Sequence, residues 1–153
     1  MTIDYQEVED YLSQCGPNTK VYLGCDSRVK FNEQGERLAQ FTTCIVIHID
    51  GCRGGKIFYT NETERDLSPT RKKPSVRLMT EVYKVSSLYL DMIDKVDSCI
   101  ELDIEVHLDL NPDKEYKSSA IVTEALGYVR GVCQTDAKVK PDAWAASCAA
   151  DAF

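Results

Sequence analysis

Long apolar runs are missing from this chain: Cys44-Ile45-Val46-Ile47 is among the longest, against the about 20 residues that a helical bilayer span requires. The start, Met1-Thr2-Ile3-Asp4-Tyr5-Gln6-Glu7, has neither the basic nor the apolar stretch of a secretory signal. The expectation is a cytoplasmic protein. Histidine is scarce, with two residues, and none of the seven cysteines forms a CxxC pair. That pattern excludes a paired-cysteine zinc or redox motif. The thiols are expected to be buried and reduced, packing as small hydrophobes. Cations are also in deficit: 18 Lys and Arg against 25 Asp and Glu give a net charge of −7. Tight non-specific binding of nucleic acid over a broad surface is disfavoured, because that binding scales with the phosphates neutralised. A cluster of carboxylates awaiting a divalent cation remains compatible with the acidic balance.

What is present suits one packed interior. The 153 residues, 43% hydrophobic and 28% charged, match a single domain. Residues 1–153 therefore read as one unit, with 1–18 as an N-terminal accessory helix. Within 4–14, Tyr5, Val8, Tyr11 and Leu12 share one helical side, and Gly16-Pro17-Asn18 ends it. From Lys20 the texture becomes β-rich. Segments 20–31, 37–50 and 56–60 are separated by Gly-bearing turns, which predicts an antiparallel meander. Residues 62–75 are polar and read as a loop. A helix over 75–96 follows, with Val85, Leu88, Met92 and Val96 on its apolar stripe.

Residues 100–110 alternate, with Leu102, Ile104, Val106, Leu108 and Leu110 on one face and Glu101, Asp103, Glu105, His107 and Asp109 on the other. A helix capped by Ser118 or Ser119 runs to Val132, a short strand covers 137–140, and Pro141 opens a last helix over 142–153. The order predicts an α/β fold with a five-stranded mixed sheet flanked by helices: three antiparallel strands, then two parallel ones, the fourth returning beside the first.

That topology brings Asp26 and Asp109 together at the carboxyl ends of neighbouring strands. Like charges at close range in a partly buried site need a cation. Glu81 extends the helical series of Val85, Leu88, Met92 and Val96 by one step toward the sheet, so it is a third candidate. Asp151, flanked by alanines in the last helix, is the fourth; Asp142 after Pro141 reads better as a helix-start residue. Each has a plainer competing reading: a turn or cap for Asp26, a surface salt bridge for Glu81, a solvated C-terminal aspartate for Asp151. His107 shares a face with Asp109 yet reads better as a satisfied structural histidine, and His48 reads the same way. The basic set Arg65, Arg71-Lys72-Lys73 and Arg77 is either a phosphate-contacting loop or simply solvated. Trp144 and Tyr116 read as packing residues rather than base-stacking ones, and Gly54-Gly55 as a hairpin turn.

With Gly24-Cys25-Asp26-Ser27, Glu81, His107-Leu108-Asp109 and Ala150-Asp151-Ala152 in this order, the chain resembles the ribonuclease H-like superfamily. Arg53-Gly54-Gly55 and Lys140-Pro141-Asp142-Ala143-Trp144-Ala145-Ala146-Ser147 resemble, more narrowly, its YkuK-type branch. The resemblance implies a carboxylate cluster holding two Mg²⁺ or Mn²⁺ ions ~3.5–4 Å apart. Asp26 would bridge both, Glu81 and Asp109 would complete one shell, and Asp151 the other. The function it implies is a metal-dependent nuclease hydrolysing phosphodiester bonds in RNA, RNA–DNA hybrid or structured DNA. The competing expectation is a catalytically silent binding module of the same fold, acting on a protein or nucleotide partner or as a homo-oligomer, with the N-terminal helix as a docking element.

Overall fold

The computed structural model describes residues 2–49, 54–68, 74–113 and 121–145. Its elements run α1 (Tyr5–Leu12), β1 (Lys20–Phe31), β2 (Arg37–His48), β3 (Gly55–Arg65), α2 (Ser75–Lys95), a 3-10 turn at Asp97–Glu101, β4 (Asp103–Leu108) and α3 (Val122–Cys133). The sheet has the order β3-β2-β1-β4. β1 pairs antiparallel with β2 and parallel with β4, as the sequence predicts.

The sheet has four strands among the described residues, not five. The segment expected as the fifth makes an isolated parallel bridge, His107 to Lys138, with the Leu108 amide donating to the Lys138 carbonyl at 2.8 Å and the Lys138 amide to the Val106 carbonyl at 2.8 Å. The Lys140 amide, the next donor in phase, reaches the Leu110 carbonyl at 3.0 Å and skips that of Leu108, so the register slips and no regular ladder is carried on. The fold class stands as mixed α/β, one strand short of the expectation. A second departure is β3, which runs to Arg65 instead of stopping near Thr60. Its polar end, Asn61-Glu62-Thr63-Glu64-Arg65, pairs with Leu38–Thr42 of β2 as the edge of the sheet, where its own side chains are exposed and need not be apolar.

Strand parity divides the interior in two. Leu23, Ile45, Ile47 and Val106 point to the α2 side and meet Val82, Val85 and Met92 in the main core. Period-3.6 spacing on α2 against period-2 spacing on the strands makes that interface. α1 closes the same core: Asp4 caps it by accepting from the Gln6 and Glu7 amides, and Val8 and Leu12 are buried. Its apolar face, considered above for docking, is thus committed internally. On the opposite side of the sheet Tyr22, Cys44, Val46 and Ala145 form a smaller cluster with Ile57, Tyr59 and Trp144 against it. Burial of Cys44 and Ile45 on opposite faces agrees with a strand covered on both sides.

Candidate active site

β1 and β4 run parallel with Cys25 opposite Leu108, so the next step in register sets Asp26 beside Asp109. Parallel neighbours lie about 4.8 Å apart. The two carboxyl groups stand close enough for the Asp109 charge to act on Asp26. Asp26 is accordingly pushed from 3.8 up to about 6, first by burial and then by the Asp109 charge, while the Ser27 amide and Arg28 pull the other way. Asp109 also accepts an ion pair from Lys140, Nζ to Oδ1 at 2.7 Å. Lys140 reaches it because the 137–140 segment returns alongside β4.

Glu81 comes to the same corner from the other side of the sheet. Successive strand residues face opposite ways: Asp26 points away from α2 and Ser27 points toward it. The Ser27 hydroxyl donates to Glu81 Oε2, and Arg77, one helical turn earlier, donates from Nη1 to Ser27 Oγ at 2.6 Å and lies 3.8 Å from Glu81 Oε2. Glu81 is 5% exposed. Burial holds its carboxyl well above the ordinary range; the Asp26 and Asp109 charges add to this, against the Ser27 bond and Arg77. Glu81 and Asp109 both line a small pocket with Cys25, Leu78, Leu108 and Leu110.

Three of the four expected carboxylates therefore meet at one corner of the sheet. Asp151 lies outside the described residues. Among the described residues no three His, Cys, Asp or Glu side chains are arranged as a ready metal cage: Asp26 and Asp109 form a pair, while Glu81 is turned to Ser27 and Arg77. The donors are all hard oxygens, which suits Mg²⁺ or Mn²⁺. A cation between Asp26 and Asp109 would offset the repulsion of their charges.

His107 is a structural residue. It is 1% exposed; its Nε2 lies 3.1 Å from Glu105 Oε2, and its Nδ1 accepts from the Trp144 and Ala145 amides at 3.2 and 3.3 Å. Those contacts fix Nε2 as the protonated nitrogen. Burial lowers its pKa, against the raising effect of Glu105. His48 stacks on Trp144 with centroids 5.1 Å apart, and Trp144 also touches Tyr22 at 4.6 Å, so both are packing residues as expected. In the basic set, Arg65 pairs with Glu36 and Arg77 is at the carboxylate corner; Arg71-Lys72-Lys73 and Tyr116 lie outside the described residues.

Sequence reasoning missed Ser27, Arg77 as Glu81's partner, and Lys140. The i,i+4 spacing of Arg77 and Glu81 was a usable signal; Lys140 carried none, because its place depends on the return of the chain beside β4.

A mixed β3-β2-β1-β4 sheet with acidic groups gathered where its two parallel strands end defines an α/β domain of the ribonuclease H type. A model of the family described as ribonuclease H-like matches residues 5–153, and the chain belongs to that family. Comparison with curated proteins gives no match, and comparison with solved structures gives none. Membership points to a role connected with nucleic acid. No described helix is long and apolar enough to cross a membrane.

Proposed function

We propose that this protein is a divalent-metal-dependent nuclease, hydrolysing phosphodiester bonds in RNA, RNA–DNA hybrid or structured DNA. The observation that carries the reading is the carboxyl pair Asp26–Asp109, two acids brought side by side where the parallel strands β1 and β4 end, with the charge of Asp109 raising the pKa of Asp26. Structural scaffolding gains nothing from such a contact; a site poised for a cation does. Asp26, Asp109 and Glu81 would hold Mg²⁺ or Mn²⁺, with Asp151 as a fourth donor. Bound there, the metal would supply an activated water and neutralise charge developing on the leaving oxygen.

The chain's own part is positioning. Asp26 and Asp109 would both face the cation as carboxylates, their repulsion offset by its charge. Ser27 and Arg77 hold Glu81 in an apolar surround and, through Arg77, offset its charge. Lys140 fixes Asp109 from the side away from Asp26's strand. The YkuK-type assignment and a cytoplasmic setting belong to the same proposal, resting on the motifs at 53–55 and 140–147 and on the free cysteines 15, 25, 44, 99 and 133.

The test is thermal unfolding and cleavage of labelled RNA and RNA–DNA hybrid with Mg²⁺ or Mn²⁺. Metal should raise the melting temperature of the wild type, and Asp26→Asn should abolish both that rise and cleavage. No metal-dependent shift at millimolar concentration would end the reading. A second reading, a silent binding module of the same fold, is favoured by one observation: Arg77 and Lys140 already sit on two of the carboxylates. It predicts oligonucleotide binding that is indifferent to metal and to Asp26→Asn.

A further inference from the structure

The β1–β2–β3 meander continues past the end of β4, and its two faces differ sharply in charge. On the face that carries Asp26, the cross-strand rows are Asp26–Thr42–Asn61, Arg28–Gln40–Thr63 and Lys30–Leu38–Arg65. The Thr42 hydroxyl donates to Asn61 Oδ1 at 2.6 Å, which places those two side chains together on this face. On the reverse face the rows are Ser27–Phe41–Glu62 and Val29–Ala39–Glu64. There Lys84 of α2 pairs with Glu62 at 3.3 Å and Glu64 at 2.9 Å, and Arg37 pairs with Asp66 at 3.1 Å.

The acidic residues of the extension are thus on the helix side, neutralised by cations. Beyond Asp26, the other face presents Arg28, Lys30 and Arg65 with amides and hydroxyls, and its three strands contribute no carboxylate. In a chain of net charge −7, this is a local inversion of sign. Arg28, Lys30, Asn61, Thr63 and Arg65 are all exposed. Arg65 also pairs with Glu36 of the β1–β2 turn, but both side chains are solvated, and such pairs are weak and yield to a competing anion. The inner half of the same face is covered by Trp144 and its aromatic neighbours. Asp26 stands at the border between the covered half and the open one.

We infer that the open face of the strand extension is the surface along which a sugar–phosphate backbone lies, leading it to the Asp26–Asp109 corner. A flat sheet with no projecting ridge cannot enter a groove. It can lie along a strand, its cations on phosphates and its amides and hydroxyls on the sugar edge or phosphate oxygens. In its link to catalysis the inference rests on the nuclease reading; the binding itself does not.

The experiment is fluorescence-anisotropy titration, in chelator so that nothing is cut, with a fluorescein-labelled single-stranded RNA and the same strand annealed to complementary DNA. The two probes decide whether one strand or a hybrid is preferred. The platform variant is Arg28→Glu/Lys30→Glu/Arg65→Glu. Its control carries the same charge change elsewhere, Lys20→Glu/Lys95→Glu/Arg130→Glu. The platform variant should lose at least about tenfold in affinity, and the dependence of log affinity on log salt should flatten by about 2, at ~0.7 per phosphate for a single strand. The control should change little.

Equal losses in both variants, or no binding by the wild type, would overturn the inference. So would displacement of the probe by poly-glutamate as readily as by unlabelled RNA, which would make the surface one for acidic proteins. If the charge reversals unfold the chain, Arg28→Gln/Lys30→Gln/Arg65→Gln serves, with a smaller loss in the same direction. Platform-dependent binding without metal-dependent cleavage would leave this inference standing and remove the nuclease. Cleavage with binding indifferent to the platform would do the reverse.

Discussion

Replacing Asp26 by Asn keeps the side chain's shape and deletes its charge. In metal-free buffer the substitution should therefore stabilise the protein. The native state holds the Asp26 proton up to about pH 6, whereas an unfolded chain loses it near 3.8. Between those values the native state binds more protons than the unfolded one, so stability falls as pH rises and the penalty is complete above about 6. Roughly two pKa units at 1.36 kcal/mol each set a ceiling of about 3 kcal/mol. Asp26 is partly exposed, and solvent screening reduces that to about 1–2 kcal/mol. For a domain of this size that is roughly 3–8 °C in melting temperature. The assay is thermal unfolding with chelator at about pH 8 and about pH 4, where the unfolded-state titration is half complete. Asp26→Asn should melt higher than the wild type at the upper pH and lose most of that advantage at the lower. Added Mg²⁺ should close the gap by stabilising only the wild type. An Asp26→Asn variant no more stable than wild type at about pH 8 without metal would refute the claim that burial and the Asp109 charge hold the Asp26 carboxyl above its ordinary range.

Two further outcomes check the surroundings. His107→Ala removes the acceptor for the Trp144 and Ala145 amides and should cost about 1–3 kcal/mol, read by denaturant titration with the single tryptophan as reporter; metal-dependent cleavage per folded molecule should persist, and its loss would make His107 more than a packing residue. Arg77→Met leaves Glu81 buried with only Ser27 beside it, so stability should drop by about 1–3 kcal/mol near neutral pH. The drop should shrink in acid, where Glu81 is neutral in both proteins; a pH-independent loss would mean that Arg77 contributes packing alone.

Much of this molecule is written locally. Val21, Leu23 and Cys25 recur with period two and Val85, Leu88 and Met92 with period 3.6, so strands, long helix and core face could be read directly. The pairing of Asp26 with Asp109 was also legible, because topology rules place β4 beside β1 and parity then fixes which residues meet. Glu81 followed from helical phase. What could not be read was everything that depends on how far a segment travels after it leaves its element. The 137–140 stretch has the composition of a strand, yet makes only a bridge, since its register on β4 slips when the Lys140 amide reaches Leu110 instead of Leu108. The polar end of β3 reads as a loop, yet is a strand, since the edge of a sheet pairs through backbone groups and asks no hydrophobicity of its exposed side chains. Ser27 and Lys140 reach the carboxylates through contacts between segments distant in sequence, and the sign of the open sheet face emerges only when three strands are set in register. Composition and periodicity determined which surfaces are buried; the register of the sheet decided which charges face one another.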